Sequence, residues 1–504
     1  MEVSPKELGL KPETWRDGQW EAIEEIVDAE QSVVVLDAPT GSGKTVLALG
    51  VAGILGRTFI NTHTKSLQDQ YMEEANGHAE SIKGRANYPC ILANDDGTMA
   101  SILGITDYNG AVFADDAPCS IGYVCPSNSH CPYFVAKRRA LASSTSIHNY
   151  SYWIPESTYL GGFSGGELIV CDEGHLLDDV MCEFQSVAIT GWMIKELGLK
   201  TPDGIDWEGW RVYAKKAAFK CLKEADKCVK FSVQQVGWRK LWRTFNAFLA
   251  VEDTEGWLID REGQYGVKIR PVWPSGFEDM FLGEKAKKAL IMSATILDPE
   301  LFTTTLGIKD YKYIKMPWTF PIDNRPVYYR PVAEVTKKNT GQAAEGLGKA
   351  IDAVLNERKG EKGIIHSHSF DLLEAVLPHI ANQDRLIIHN RGNNRGELID
   401  RHKRSKQDKW LISPSISHGE DFKYDMARSQ IILKMPFPDL GNKVVQMRLK
   451  EKPKWFKHKT AQILTQMIGR VNRAADDYGE TFVFDSKFET LMAYIPQEVQ
   501  DAIK

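Results

Sequence analysis

Short apolar stretches alternate with longer helical stretches along much of the chain. Residues 32–36 (SVVVL) are predicted to form a buried strand, and an apolar helix is predicted over residues 45–55. Residues 58–62 form the next predicted strand, and residues 168–170 and 290–292 are later core strands. Because a strand, a helix and a strand in succession favour parallel pairing, this order predicts an α/β lobe with crossover helices.

A second alternating region occupies the C-terminal part of the chain, with predicted strands at residues 363–366, 410–412 and 431–433. The first region is interrupted twice. Residues 84–145 contain cysteines and turn-forming residues and end in a basic stretch, whereas residues 180–285 contain Lys-rich helical stretches. The pattern predicts two α/β cores, with two insertions in the first. Seven of the 13 tryptophans lie in the second insertion: Trp192, Trp207, Trp210, Trp238, Trp242, Trp257 and Trp273.

Composition narrows the class of protein without changing this picture. A chain of 504 residues is long enough for several domains, at ~100–200 residues each. Hydrophobic residues make up 43% and charged residues 26%, which argues against a disordered or collagen-like chain. The formal net charge of −5 means that any basic surface for nucleic acid must be local.

No stretch indicates a membrane protein or a secreted protein. No run approaches the ~18–20 apolar residues that a membrane span needs. The N-terminal sequence, MEVSPKELGL, does not have the basic and then apolar pattern of a signal peptide. We therefore expect a soluble, intracellular, cytoplasmic protein that makes no contact with a membrane.

Residues 38–45 (APTGSGKT) follow a predicted strand and open a predicted helix. Glycines allow backbone N–H groups to turn inward around phosphate oxygens, and a helix N-terminus favours negative charge. Lys44 is expected to reach the β- and γ-phosphates of a nucleotide, and Thr45 to bind Mg²⁺. The alternative is a glycine-rich turn that binds nothing, but the flanking strand and helix favour a phosphate site. The predicted nucleotide-binding residues here are Gly41, Ser42, Gly43, Lys44 and Thr45.

Two further segments carry the residue types needed to hydrolyse a nucleotide. Asp172 and Glu173 come directly after a strand, where Asp172 would hold Mg²⁺ and Glu173 would orient or deprotonate the attacking water. Gln466, Arg470 and Arg473 lie on one predicted helix face. Two guanidinium groups there can neutralise a γ-phosphoryl group as it leaves. Since these arginines follow the phosphate loop by hundreds of residues, two lobes are expected to meet over one nucleotide.

Several other segments complete a resemblance to a known family. They are Trp15–Gln19, residues 62–70 (THTKSLQDQ), Met292–Thr295, residues 321–326 (PIDNRP), Ser413–Ser415 with Gly419–Asp421, and Lys434–Pro438. Together with the three motifs above, they resemble the XPD/DinG family of iron–sulfur superfamily 2 DNA helicases. The resemblance covers nearly the whole chain, most specifically residues 16–175 and 290–475. Ala38 stands where the general phosphate-loop pattern has glycine, and APTGSGKT is the form seen in superfamily 2 helicases.

The resemblance implies a fold and an activity. The fold is α/β, with two RecA-like parallel-sheet lobes and with an iron–sulfur domain and a helical arch inserted in the first lobe. The implied activity is ATP-dependent movement on single-stranded DNA, 5′ to 3′, with unwinding at fork junctions by a monomer in repair or replication. Gln19 would read adenine, residues 62–70 would grip the DNA backbone, and ATP with Mg²⁺ would be the cofactors. The chain is shorter than many members, as in a compact viral or minimal version. The implied boundaries are 1–83, 146–179 and 286–322 for lobe 1, 84–145 for the iron–sulfur domain, 180–285 for the arch and 323–504 for lobe 2.

Four cysteines lie in the first insertion, with the spacing C-x28-C-x5-C-x5-C. Four thiolates can hold a 4Fe–4S cluster or a tetrahedral zinc ion, and spacing alone leaves open the cluster, zinc or no metal. The family resemblance favours the cluster, which would stabilise a domain with a thin apolar core. The four predicted ligands are Cys90, Cys119, Cys125 and Cys131, whereas Cys171, Cys182, Cys221 and Cys228 are expected to be small buried hydrophobic residues.

Basic stretches are the candidates for nucleic-acid contact. Residues 137–139 follow the last cysteine, and residues 401–404 and 450–459 lie in the second lobe. Any of these could follow a phosphate backbone, or could be solvated helix faces. Tyr133 and Phe134 could stack on bases or pack internally. No residue separates DNA from RNA, so an RNA-directed or non-unwinding translocase, or a nucleotide-gated binding scaffold, stays open beside the DNA helicase.

Overall fold

Two parallel β-sheets form the framework of the protein. The computed structural model describes residues 2–91, 112–416, 422–472, 474 and 476–504. The strands in these residues are β1 Val33–Asp37, β2 Thr58–Thr62, β3 Glu80–Ser81, β4 Thr145–Asn149, β5 Gly166–Cys171, β6 Val187–Ile189, β7 Trp257–Glu262, β8 Gly266–Pro271, β9 Ala286–Ser293, β10 Lys312–Lys315, β11 Val327–Ala333, β12 Gly363–His366, β13 Leu386–Ile388, β14 Trp410–Ser413, β15 Ser429–Ile432 and β16 Glu480–Asp485.

Helices flank both sheets. The α-helices are α1 Gln19–Asp28, α2 Lys44–Leu55, α3 Lys65–Glu74, α4 Pro132–Ala142, α5 Tyr150–Tyr159, α6 Leu177–Gln185, α7 Gly191–Leu197, α8 Trp207–Lys227, α9 Val233–Ala250, α10 Phe277–Phe281, α11 Pro299–Leu306, α12 Thr340–Glu357, α13 Phe370–Val376, α14 Arg395–Arg404, α15 Lys443–Glu451, α16 Pro453–Ile468 and α17 Gln497–Gln500. Segments of 3₁₀ helix include Arg85–Asn87, Pro118–Ile121, Gly174–Leu176, Ile322–Asn324 and the nine-residue Ser486–Tyr494. Among the described residues, no helix is both long enough and apolar enough to cross a membrane.

The first sheet has the strand order β10-β1-β9-β5-β2-β4-β3 and is parallel throughout. Its strands alternate between two apolar cores, since Val33 and Val35 face one core while Val34 and Leu36 face the other. Strands β1, β9 and β5 are neighbours, so the segments that follow them meet at one edge. This edge therefore brings together residues 38–45, 172–175 and 293–295.

The second sheet has the order β11-β16-β15-β12-β14-β13 and is also parallel. Its central strands also face two cores, with Ile365 and Ile412 on the side of α12 and α13, and Ile364 and Leu411 on the other. The two RecA-like α/β lobes expected from the sequence are therefore present.

The 180–285 segment is a mixed α/β unit with its own core. Helices α8 and α9 pack together, and β6, β8 and β7 form a small antiparallel sheet in that order. The sequence pattern predicted helices here but not these strands. Tryptophans mostly contribute to the core, as expected: Trp210 is buried in it, and Trp207, Trp238, Trp242 and Trp257 are partly buried and pack against it, whereas Trp192 is 62% exposed.

The 180–285 segment also contacts the cysteine-containing insertion. Lys240 on α9 makes an ion pair with Asp116 at 2.7 Å, and Arg243 donates to the main-chain oxygen of Ser120 at 3.3 Å. The rings of Tyr123 and Phe231 lie 5.1 Å apart. These contacts join the two insertions of lobe 1 to each other. The division of the chain into separate domains at the expected boundaries stays a prediction.

Candidate functional site

The loop between β1 and α2 has the geometry of a phosphate cradle. Gly41 and Gly43 have φ values of 84° and 78°, in the left-handed region that favours glycine. A side chain at Gly43 would collide with Gln19, and one at Gly41 would collide with the Phe320 ring. Helix α2 begins at Lys44, so its unpaired N–H groups point toward the loop.

Polar groups in this loop match an anionic ligand. The Ser42 hydroxyl is buried and has no hydrogen-bond partner among the described residues. The Lys44 ammonium group donates to the main-chain oxygen of Ala38 at 3.1 Å, so it lies across the loop. A nucleotide phosphate would give the Ser42 hydroxyl and the helix N-terminus their missing partners.

Gln19 lies against the phosphate loop. Its amide nitrogen donates to the main-chain oxygens of Ser42 at 2.7 Å and Gly43 at 3.2 Å, and its amide oxygen accepts from the backbone N–H of Arg16 at 2.8 Å. Arg16 in turn donates to the main-chain oxygen of Gly41. Gln19 is therefore at the predicted site and braces the loop, while its predicted contact with adenine stays a prediction.

Asp172 lies at the end of β5 and is almost fully buried. The Tyr71 hydroxyl donates to its Oδ2 at 3.1 Å, and the Tyr150 hydroxyl donates to its main-chain oxygen at 2.7 Å. Burial raises the pKa of Asp172 to about 6, the Glu173 carboxylate acts in the same direction, and Lys44 acts against both. A cation bound here would favour the ionised carboxylate, so Asp172 suits the predicted Mg²⁺ role.

Thr45 provides the second oxygen expected to bind Mg²⁺. Its hydroxyl accepts a hydrogen bond from the Gln70 side chain at 3.2 Å. A hydroxyl, a carboxylate, phosphate oxygens and water together match the hard oxygen ligands that Mg²⁺ prefers. The donor chemistry of Thr45 and Asp172 therefore fits the ion.

Glu173 adopts a left-handed backbone conformation, with φ of 53° and ψ of 45°. Non-glycine residues held in this region are strained and cluster at functional sites. The Glu173 carboxylate lies 3.4 Å from Nδ1 of His175, which is 3.0 Å from the Ser293 hydroxyl. The strained turn thus places the candidate base beside the 293–295 segment.

Gln466 joins the two lobes at this point. Its amide nitrogen lies 2.7 Å from Nε2 of His175 and donates to the Thr295 hydroxyl at 3.2 Å. One turn earlier, Gln462 donates to the main-chain oxygen of Thr295 at 2.8 Å. Helix α16 therefore contacts both segments that follow β5 and β9, and a direct contact between Gln466 and a nucleotide stays a prediction.

The end of α16 reaches the phosphate loop. A side chain added at Gly469 would lie 3.4 Å from the Thr40 hydroxyl, so residues 469 and 40 are neighbours across the two lobes. Arg470 is next in the chain and is 8% exposed. The predicted action of Arg470 on the nucleotide from lobe 2 stays a prediction. The second predicted arginine, Arg473, lies outside the described residues, as do Gly419–Asp421.

The four insertion cysteines fall into two packed groups. Cys90, Cys119 and Cys125 pack in one small cluster, whereas Cys131 precedes α4 and packs in the core of lobe 1. Arg85 donates to the Cys119 sulfur at 3.6 Å. Among the described residues, no group of three or more His, Cys, Asp or Glu side chains is arranged to hold a metal ion. The side chains as arranged therefore do not form the expected four-thiolate site.

The basic helix after the cysteines is partly engaged in internal contacts. Lys137 pairs with Glu156 at 2.5 Å, and Arg138 donates to the main-chain oxygen of Ser129 at 2.7 Å. Tyr133 is fully buried and donates to Glu156 at 3.0 Å. Tyr133 is thus a packing residue. Of the three cations at residues 137–139, Arg139 is the most available to a ligand, because it is exposed and its side chain, unlike those of Lys137 and Arg138, is not engaged in an internal ion pair or hydrogen bond among the described residues.

Sequence reasoning missed several side chains that position the site. Gln70 and Tyr71 end the predicted 62–70 motif or follow it directly, yet their contacts are with Thr45 and Asp172. Lys459 donates to the main-chain oxygen of His175 at 2.9 Å and to Asp178 at 2.6 Å. The signal for Lys459 was a basic stretch, which suggested surface charge rather than a buried contact between lobes.

Family comparisons match both lobes separately. The helicase C-terminal domain family matches residues 353–502. The family of the res subunit of type III restriction enzymes matches residues 13–188. No curated protein matches the chain by sequence. The two matched regions contain strands β12 to β16 of the second sheet and strands β1 to β5 of the first.

Solved structures with a similar fold cover nearly the whole chain. An XPD helicase is 16% identical, with a TM-score of 0.65, over 97% of this chain and 99% of that chain. An apo XPD structure is 14% identical, with a TM-score of 0.59, over 94% and 97%. Xpd4 from S. tokodaii is 15% identical, with a TM-score of 0.59, over 97% and 99%. The resemblance to the XPD/DinG family is therefore confirmed at the level of the fold.

Proposed function

We propose that this chain, an XPD/DinG-like member of helicase superfamily 2 by its fold, is an ATP-dependent DNA helicase. The observation that carries the proposal is the contact of Gln466 in lobe 2 with His175 and Thr295 in lobe 1. This contact lies beside the phosphate loop and the Asp172–Glu173 pair. A change at the nucleotide can therefore alter the contact between lobes, which is what a motor requires.

Each residue has a distinct task in hydrolysis. Lys44 and the N-terminus of α2 bind the phosphates, and Thr45 and Asp172 are the residues that would hold Mg²⁺. That ion, when bound, neutralises charge on the β- and γ-phosphate oxygens. Glu173 accepts a proton from the attacking water or orients it, and Arg470, with Arg473, offsets the charge on the transferred phosphoryl group.

Lobe movement would then be transmitted to a nucleic-acid strand. Residues 62–70 run from the end of β2 into helix α3, next to the proposed nucleotide site, and Lys65 and Ser66 are exposed in the first turn of α3. Backbone N–H groups, hydroxyl groups and cations at a helix N-terminus suit phosphate contacts. The family resemblance supports DNA over RNA, movement from 5′ to 3′, and action at fork junctions.

The cysteine insertion is proposed to carry a 4Fe–4S cluster, on the family resemblance and on its set of four thiols. The arrangement of those thiols described above does not by itself support the cluster. No step of hydrolysis is assigned to it. The proposed role is structural. The insertion connects β3 to β4 of lobe 1 along the chain, and it contacts the 180–285 segment through the ion pair of Asp116 with Lys240.

Strand displacement tests the proposal directly. Labelled DNA duplexes with a 5′ or a 3′ single-stranded tail, and matching RNA duplexes, are mixed with the full chain and ATP. We expect unwinding of the 5′-tailed DNA, and none with Lys44→Ala. Unwinding of RNA alone would indicate an RNA helicase. ATP hydrolysis without strand separation would indicate a translocase, and nucleotide binding without hydrolysis would indicate a scaffold.

A further inference from the structure

Helix α3 contacts both residues expected to bind Mg²⁺. Gln70 donates to the Thr45 hydroxyl at 3.2 Å, and Tyr71 donates to Oδ2 of Asp172 at 3.1 Å. Gln70 and Tyr71 are consecutive, and they reach the first turn of α2 and the residue after β5, which are distant in sequence. A single helix therefore orients two oxygen ligands that must point at one ion.

We propose that Gln70 and Tyr71 are positioning residues for the magnesium ion of the nucleotide site. The proposal rests on the proposed function, because it takes Thr45 and Asp172 as the side chains that hold this ion. Neither Gln70 nor Tyr71 touches the nucleotide or the ion in this role. Each fixes the direction of a ligand by a hydrogen bond from behind.

The chemistry of each contact suits this role. A tyrosine hydroxyl is protonated near neutral pH, so it donates to one oxygen of Asp172 and leaves the other oxygen for a cation. The Gln70 amide donates to Thr45, whose hydroxyl oxygen keeps a second lone pair. Partners of this kind behind a metal ligand typically contribute about 10–100-fold in metal affinity.

The burial of the two residues differs, which gives two independent variants. Tyr71 is fully buried in the core of lobe 1, and Tyr71→Phe removes only its hydroxyl. Gln70 is exposed, so Gln70→Ala tests the second contact without altering the core. If both Tyr71→Phe and Gln70→Ala need more Mg²⁺ for nucleotide binding, a disturbed core cannot be the cause, because Gln70 is not part of the core.

Tyr150 provides a matched control. It is also buried and also bonds to residue 172, but its hydroxyl donates to the main-chain oxygen rather than to the carboxylate. Tyr150→Phe therefore removes a comparable hydrogen bond from the same residue without changing the orientation of the metal ligand.

Helix α3 also connects this role to the proposed nucleic-acid contact. Its N-terminal turn exposes Lys65 and Ser66, while Gln70 and Tyr71 lie one to two turns further along. A strand bound at the first turn would act on the same rigid helix that orients both ligands. Nucleic-acid binding and ion binding would then be linked through α3.

The experiment measures equilibrium binding of a fluorescent ADP by the full chain over a range of MgCl₂ concentrations, and in EDTA. We expect the half-saturating Mg²⁺ concentration to rise about tenfold in Tyr71→Phe and about fivefold in Gln70→Ala. The half-saturating Mg²⁺ concentration of Tyr150→Phe should stay within about twofold of that of the unaltered protein, because its hydrogen bond goes to the main-chain oxygen and not to the carboxylate. Binding in EDTA should be equal in all four proteins.

Other results would overturn the proposal. Equal shifts in Tyr71→Phe and Tyr150→Phe, or weaker binding of Tyr71→Phe in EDTA, would assign Tyr71 a merely structural role. If the unaltered protein shows Mg²⁺-dependent binding but no hydrolysis, the proposed function fails while the positioning role stands. Absence of any Mg²⁺ effect on binding by the unaltered protein overturns the positioning role, whereas the proposed function fails only if hydrolysis and strand displacement are also absent.

Discussion

Single residues at the edge of the first sheet carry the side chains that we propose for nucleotide hydrolysis. Glu173 occupies a strained left-handed turn, and its carboxylate is 3.4 Å from His175. Such strain is retained where the surrounding structure enforces it. Here Ser293 and Gln466 hold His175 in place from two sides, so the turn is fixed by both lobes.

We predict that Glu173→Gln keeps ATP binding but lowers turnover by at least about 100-fold, the usual effect of removing a catalytic base. Glutamine preserves size and hydrogen bonding, whereas it cannot accept the proton. Lys44→Ala should also abolish turnover, because the phosphates lose their cation. Steady-state ATP hydrolysis and equilibrium nucleotide binding measure the two effects.

Glu183→Gln is the matched control, because Glu183 is a carboxylate on α6 that pairs with Lys268 at 2.7 Å, at the base of the 180–285 segment. Its hydrolysis should equal that of the unaltered protein. Near-normal turnover by Glu173→Gln would remove Glu173 from the proposed role.

At the scale of elements, a buried charge cluster joins α6 of lobe 1 to α15 and α16 of lobe 2. Asp178 pairs with Lys459 at 2.6 Å and with Arg448 at 3.3 Å. The Arg448 guanidinium group lies 5.1 and 5.0 Å from the ring centroids of Trp273 and Trp455. Burial would raise the pKa of Asp178, but Lys459 and Arg448 outweigh it and the pKa lies below its ordinary value.

We predict that Asp178→Asn and Lys459→Met each lower the free energy of unfolding by about 3–5 kcal/mol, because each leaves a buried charge with fewer partners. The double variant should lose less than the sum of the two, since both members of one pair are gone. Urea denaturation of the four proteins measures this coupling. Additive losses would show that the two side chains act independently.

The pH dependence follows from the lowered pKa of Asp178. A carboxyl group whose pKa is lower in the folded protein contributes stability above its unfolded pKa of about 3.9. That contribution is lost as pH falls through the folded pKa. The difference in unfolding free energy between the unaltered protein and Asp178→Asn should therefore be constant from about pH 8 to pH 5 and narrow below about pH 4, as measured by urea denaturation across this range.

The strands of the two sheets differ in how far the sequence could predict them. Apolar runs predicted β2 and β12 with the bounds that the structure has, Thr58–Thr62 and Gly363–His366. Strand β4 was missed because its sequence, TSIHN, is mostly polar, although Ser146 and His148 are fully buried. Their burial depends on neighbouring strands, which no local pattern records.

The same limit applied to the site. Motifs predicted the phosphate loop, Asp172 and Glu173, because backbone shape and carboxylate chemistry need particular residues at fixed spacing. Tyr71 and Lys459 act through contacts made only after the sheet and the lobes assemble. An aromatic residue on a helix and a lysine in a basic stretch have no local signal for such roles.

At the scale of the whole molecule, the proposed nucleotide site lies where the two lobes meet, whereas the cysteine insertion is distant in sequence from Lys44, Asp172 and Arg470. The insertion contacts α9 of the 180–285 segment through Asp116 and Ser120. Damage to the insertion should therefore leave closure of the lobes on ATP largely intact. Separation of the DNA strands should be impaired more, because we propose that the insertion forms the wedge that parts the two strands at a fork junction.

We predict that protein purified without oxygen contains about four irons per chain, the content of a four-cysteine cluster. Cys119→Ser or Cys125→Ser should remove the iron and reduce DNA unwinding more than DNA-stimulated ATP hydrolysis. Cys228→Ser is the control, because Cys228 lies in the 180–285 segment and donates to the main-chain oxygen of Glu224 at 3.2 Å; it should keep both iron and unwinding. Elemental analysis, strand displacement and ATP hydrolysis provide the three measurements. Zinc in place of iron would refute the cluster. Equal loss of hydrolysis and unwinding, in a variant whose lobes are still folded, would refute the wedge, because the insertion would then act through the nucleotide site itself.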